Sequence, residues 1–70
     1  MKQYWPEATH LDNGKCCHLF TSDSVLSEEA AKTVIRLWMQ NFNIVTAWIE
    51  DDENKVIWHS CFVDFVGNRR

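Results

Sequence analysis

The chain has 70 residues, enough for one small domain, and its 46% hydrophobic and 24% charged residues are typical of a globular protein. Its formal charge of -3 argues against binding nucleic acid by neutralising phosphates. No apolar stretch has the form of a signal-peptide core or the length of a membrane span, so we expect a single cytoplasmic domain over residues 1–70.

A β-hairpin is predicted at the start of the chain. Tyr4 to Leu11 contains strand-forming residues, but Pro6 favours an edge strand, or an irregular arm over residues 1–13. Asn13-Gly14 is typical of a type I′ turn, because both positions tolerate a positive φ. Cys16 to Thr21 is the predicted second strand.

A helix is predicted from Glu28 to Asn41, a run with no glycine or proline. Ser27 is placed to cap its first turn with its hydroxyl group. Asn41 or Asn43 would end the helix in a left-handed conformation. The apolar residues at helical spacing, expected to pack on a sheet, are Ala31, Val34, Ile35, Trp38 and Phe42, widened by Ala30, Leu37 and Met39.

A second hairpin is predicted over Asn43 to Phe65, with a polar turn at Asp51 to Asn54 between two strands rich in β-branched and aromatic residues. The element order is therefore ββαββ. We predict an α+β, two-layer domain in which one helix packs on one face of a four-stranded antiparallel sheet. The predicted spatial order of the strands is 1-2-4-3.

The register of the second hairpin decides which residues face the helix. A symmetric turn would set Glu50 opposite Lys55 and divide the hairpin into two faces. The predicted helix side consists of Val45, Ala47, Ile49, Val56, Trp58 and Phe62. The predicted open side consists of Ile44, Thr46, Trp48, Glu50, Lys55, Ile57, His59 and Cys61.

The mixed polar and apolar make-up of the open side is typical of an interaction surface. We expect a non-enzymatic protein-binding module, a monomer or a homodimer, with Trp48 as its anchor. The alternative is that Trp48 and Ile57 are ordinary exposed apolar residues. The expected binding surface consists of Trp48, Ile57, His59, Thr46 and Ile44.

Four consecutive acidic residues, Glu50, Asp51, Asp52 and Glu53, occupy the turn of this hairpin. They would steer the domain towards a partner with a basic surface. The plainer interpretation is a solvated hairpin tip.

A zinc-binding protein is the main rival hypothesis. If the second and fourth strands pair with Cys16 opposite Cys61, then His18 lies opposite His59, and these four side chains form a typical zinc ligand set. The alternative is that the cysteines are small buried residues with free thiols. A nucleic-acid-binding module is a third hypothesis, suggested by four tryptophans but not by basic residues. We expect no enzyme activity and no cofactor, because no motif for phosphate binding or hydrolysis is present.

In length and acidity the chain resembles small proteins of mobile elements and small phage-encoded inhibitors of host nucleases. The likeness covers size and charge alone, and it implies an inhibitor that binds a host protein.

Overall fold

A computed structural model describes residues 2–61 of the chain. The described part contains one helix and one sheet, in the order strand, strand, helix, strand, strand. All neighbouring strands are antiparallel, so the predicted α+β class and ββαββ order are confirmed. The elements are β1 (Tyr4–Asp12), β2 (Lys15–Phe20), α1 (Glu28–Asn41), β3 (Asn43–Asp51) and β4 (Val56–Cys61).

The first hairpin forms around the predicted turn. Asn13 and Gly14 have φ values of 53° and 79°, which are the positive values that a type I′ turn requires. Asp12 lies opposite Lys15 across the turn, and the ladder continues to Glu7 opposite Phe20. Residues 4–12 are thus a full strand, and the alternative of an irregular arm is wrong.

The order of strands in the sheet is β2-β1-β3-β4, which corrects the predicted order 1-2-4-3. Because β2 and β3 are both antiparallel to β1, they run parallel to each other. The connection through α1 therefore passes over β1 on one side of the sheet. The strand that lies between β2 and β3 is β1, whereas the predicted order placed β4 between them.

Pro6 lies in a central strand, against the expectation that it marks an edge. Tyr4 and Val25 exchange backbone hydrogen bonds of 2.9 and 2.8 Å on the β2 side of β1. Backbone groups two residues apart point the same way along a strand, so the nitrogen of Pro6 also faces that side. Because β2 ends opposite Glu7, the proline's missing N–H costs the sheet no ladder bond.

The helix begins at its predicted cap, since the Ala30 N–H donates to the Ser27 hydroxyl oxygen at 3.0 Å. It ends differently from the prediction. The C-cap residue is Phe42. Its backbone is extended, at φ -134°, and its N–H donates to the Trp38 carbonyl. In the described residues, positive φ values occur at Asn13, Gly14 and Asn54, so neither Asn41 nor Asn43 closes the helix in a left-handed conformation.

The core lies between α1 and the two central strands. Ala31 and Ile35 are the buried residues of the helix, and β1 and β3 contribute the other four residues of the buried cluster. Leu37 is 53% exposed, so the apolar stripe is narrower than predicted. The buried cluster consists of Ala8, Ala31, Ile35, Ile44, Ala47 and Ile49.

Ile44 is fully buried in this core, whereas the simple register placed it on the open side. The reason is a β-bulge between β1 and β3. Thr9 lies opposite Thr46 but His10 lies opposite Ile44, so Val45 is an extra residue that reverses the alternation.

A second register shift affects β4. Glu50 lies opposite Val56, not Lys55, and Ile49 lies opposite Trp58. Ile57 is therefore the extra residue, and it packs against the core cluster. Val56 is 52% exposed, so the predicted sides of Val56 and Ile57 are both wrong. Phe62, also predicted to face the helix, lies outside the described residues.

Within residues 2–61, no helix is long and apolar enough to cross a membrane.

Candidate binding groove on the open side of the sheet

The side of the sheet opposite α1 carries an aromatic and acidic groove of about 400 Å³, which we call the acidic groove. It crosses one end of the sheet, from β2 over β1 to the turn after β3. Alternate residues of β1 supply its centre, because Trp5 and Glu7 point away from the helix while Pro6 and Ala8 are buried beneath it. Its lining residues are Trp5, Glu7, His18, Phe20, Thr21, Glu50, Asp52 and Asn54.

His18 of β2 is held in place from several directions. Its Nε2 lies 2.9 Å from a carboxylate oxygen of Glu7. Its ring stacks on the indole of Trp48, with ring centroids 5.6 Å apart and an angle of 11° between the planes. The ring of Phe20 lies 5.4 Å away on the same strand. These contacts fix the imidazole above the central strand β1.

Trp48 supports the groove without lining it. Its indole N–H donates to a carboxylate oxygen of Glu50 at 3.0 Å, while one face of its ring carries His18. Trp48 therefore orients one carboxylate and one imidazole at once. The residue predicted as an exposed anchor is half-buried and positions its neighbours.

Glu7 and Glu50 are diagonal neighbours on the open side of the β1–β3 ladder, since Trp5 lies opposite Glu50 and Glu7 lies opposite Trp48. Partial burial, then the hydrogen bond and charge of Glu50, raises the pKa of Glu7 above its ordinary value, with His18 opposing the change. The hydrogen bonds from Glu7 and then Trp48 lower the pKa of Glu50. Glu7 therefore takes up the pair's first proton.

The charges that line the groove are mostly of one sign. Among the described residues that line it, Glu7, Glu50 and Asp52 contribute three carboxyl groups, His18 is the single basic side chain, and there is no lysine or arginine. Such a lining attracts cations, and the partly desolvated carboxylates would interact more strongly with a cation than exposed carboxylates do.

The four acidic residues of the β3–β4 turn do not act as one charged patch. Asp51 is 2% exposed and accepts hydrogen bonds from the N–H groups of Glu53 and Lys55 at 2.9 and 3.0 Å. Lys2 lies 3.7 Å from its second oxygen. The backbone hydrogen bond from Lys55, more than any other contact, lowers the pKa of Asp51. Asp51 therefore shapes the turn.

The proposed zinc ligands lie on opposite edges of the sheet. Cys16 and His18 are on β2, while His59 and Cys61 are on β4, and two strands separate them. Adjacent strands are about 4.8 Å apart, so the two pairs lie about 14 Å from each other. The pairing that the zinc hypothesis requires is not formed. Among residues 2–61, no group of three or more candidate ligands could hold a metal ion.

The cysteines are also not the buried residues that the alternative interpretation expected. Cys16 and Cys61 are exposed, Cys17 is half-buried, and all three thiols are free.

The remaining predicted surface residues divide between the two sides of the sheet. The hydroxyl of Thr46 lies 2.8 Å from that of Thr9, and His59 is exposed opposite Trp48. Ile44 belongs to the core cluster, and the partly buried Ile57 packs against that cluster.

The groove residues Trp5, Glu7 and Phe20 were missed by the sequence-based prediction. The alternation of Trp5 and Glu7 with Pro6 and Ala8 was the available signal, but β1 was expected at an edge. Comparison of the chain with family models, curated proteins and solved structures finds no match.

Proposed function

We propose that this protein is a non-enzymatic protein-binding module whose acidic groove holds a cationic side chain of a partner with a basic surface. The observation that carries the proposal is the pair Glu7 and Glu50, two carboxyl groups that are diagonal neighbours across the β1–β3 ladder in the acidic groove, whose described lining residues include no lysine or arginine. Two carboxylates held together repel each other, and a bound cation removes that repulsion.

An arginine or lysine side chain fits the chemistry of the lining. A guanidinium group can donate paired hydrogen bonds to carboxylates, and either cation is attracted to the face of an aromatic ring. Trp5 and Phe20 supply the aromatic surface beside the carboxyl groups. Asp52 adds a third carboxyl group at the end of the groove nearest the turn.

The groove residues are oriented by one another before any partner arrives. His18 is fixed by Glu7 and Trp48, and Glu50 is fixed by Trp48. Groups that already have their bound geometry lose little conformational entropy on association, which favours affinity. The indole of Trp48 contacts both His18 and Glu50, so it holds the imidazole and this carboxylate in a fixed relation.

The sign of the charge favours a protein partner over nucleic acid. Phosphate groups would be repelled by Glu7, Glu50 and Asp52, whereas a basic protein surface would be attracted to them.

Selection from a displayed library of random peptides tests the proposal. We expect the selected peptides to be enriched in arginine or lysine. The enrichment should disappear with the double variant Glu7→Gln/Glu50→Gln. It should persist with Glu28→Gln/Glu29→Gln, which removes the same charge from the first turn of α1.

Selected peptides without basic residues would contradict the proposal. Equal loss of selection with the two double variants would also contradict it, because it would show that only the overall charge matters.

A further inference from the structure

The edge strand β2 runs directly beside the acidic groove. Among the strands that the structure describes, β2 is the outermost, and its one strand neighbour is β1. His18 and Phe20 belong to β2 and Thr21 follows it, so three of the groove's lining residues come from this edge. A chain that paired with β2 would therefore lie along one wall of the groove.

The outward backbone groups of β2 follow from its register. Asp12 and Lys15 close a two-residue hairpin loop, so Lys15, Cys17 and Leu19 direct their N–H and C=O groups towards β1. Cys16, His18 and Phe20 direct theirs outwards. No strand of residues 2–61 pairs with that outer side.

Within residues 2–61, this edge lacks the usual devices that prevent strand addition. β2 contains no proline, pairs with β1 in a continuous register, and has one charged residue, Lys15, at its hairpin end. By contrast, the register of the opposite edge strand, β4, shifts between Ile49 and Glu50 of its neighbour.

The register of the sheet places one groove carboxylate, that of Glu7, within reach of an added strand. Glu7 belongs to β1, the strand next to β2, and its carboxylate lies 2.9 Å from the ring of His18, a residue of β2. An added strand would lie about 4.8 Å beyond β2, and a long side chain on its open side would extend over β2 towards Glu7.

From this juxtaposition we propose that the partner binds as an extended basic segment that adds to β2 as a fifth strand and directs a cationic side chain into the acidic groove. Backbone hydrogen bonds would supply affinity, and the groove would supply selectivity for the cation, as in other cases of strand addition. This inference rests on the proposed function, because it takes the groove as the site of the cation.

The test uses an acetylated, amidated eight-residue peptide that alternates arginine with valine. Two analogues carry N-methyl groups on backbone nitrogens. The first is methylated at the backbone nitrogen of every arginine, and the second at the backbone nitrogen of every valine. Along an added strand, only alternate N–H groups face β2. We therefore expect one analogue to lose at least tenfold in affinity by isothermal titration calorimetry while the other binds within about twofold of the parent.

Which residues lose affinity on N-methylation, the arginines or the valines, also reports the direction of the added strand. Cys16, His18 and Phe20 direct their side chains to the open side and their N–H groups outwards, so sensitivity at the arginines corresponds to antiparallel addition. Sensitivity at the valines corresponds to parallel addition. Either result supports the inference.

Equal affinities for the two analogues would overturn strand addition. If the parent peptide in that case still bound the Glu7→Gln/Glu50→Gln variant more weakly than the unchanged protein, the proposed function would stand and only strand addition would be rejected. A parent peptide that binds the Glu7→Gln/Glu50→Gln variant as tightly as the unchanged protein, or that binds neither, would overturn both.

Discussion

Replacing Ile44 with alanine tests the bulge that moves this residue from the open side of the sheet into the core. Ile44 is fully buried. The substitution removes three methylene equivalents worth about 0.8 kcal/mol each, and the remaining cavity brings the expected loss of unfolding free energy to about 3–4 kcal/mol. About 60 residues give a total of roughly 3–9 kcal/mol, so the variant would retain between about -1 and 6 kcal/mol.

Val56→Ala is the matched control. The uninterrupted register placed Val56 on the helix side and Ile44 on the open side, whereas the structure has Val56 exposed and Ile44 buried. Val56 is 52% exposed, so its truncation should cost less than about 1 kcal/mol. Urea denaturation followed by circular dichroism measures both variants. With a slope of about 1 kcal/mol/M, Ile44→Ala should lower the midpoint by about 3–4 M, or leave no folded baseline. A larger loss for Val56→Ala than for Ile44→Ala would refute the bulge.

Three further substitutions test the helix cap, the acidic turn and the support of the groove. Ser27→Ala should reduce the unfolding free energy by about 1 kcal/mol, because it removes the acceptor of the Ala30 N–H; an unchanged urea midpoint would contradict the cap. Asp51→Asn should lower stability at pH 7, and the difference should shrink as the pH falls below about 4, since a carboxyl group with a lowered folded pKa stabilises only while it is ionised. A difference in thermal midpoint that is constant from pH 7 to pH 2 would argue against this role. Trp48→Phe should keep the stack on His18 but weaken binding of the arginine–valine peptide severalfold, because Glu50 loses its indole donor; unchanged affinity by calorimetry would contradict that role.

Local signals predicted the elements of this fold well. Asn13-Gly14 requires little beyond its own backbone to form a turn, and Ser27 caps a helix that its own sequence favours. The strand order is not a local property. Pro6 is tolerated in the central strand because β2 stops one residue short of it, and nothing near Pro6 in the sequence encodes where β2 ends.

The candidate site was predicted only in part, for two physical reasons. Each of the two bulges adds one residue to a strand and thereby exchanges the sides of the residues beyond it, which is why Ile44 and Ile57 were assigned to the wrong side. The groove also joins residues distant in sequence, since Glu7 and Glu50 meet only because β1 lies beside β3. An edge position for β1 would have kept them apart.

The most direct test of the acidic groove is a titration of the protein with the arginine–valine peptide, followed by nuclear magnetic resonance of the glutamate side-chain carboxyl carbons. The carboxyl signals of Glu7 and Glu50 should shift with a common saturation curve, together with the indole N–H of Trp48. The signals of Glu28 and Glu29 on α1 should stay in place. Shifts at the helix glutamates with none at Glu7 and Glu50 would contradict the account.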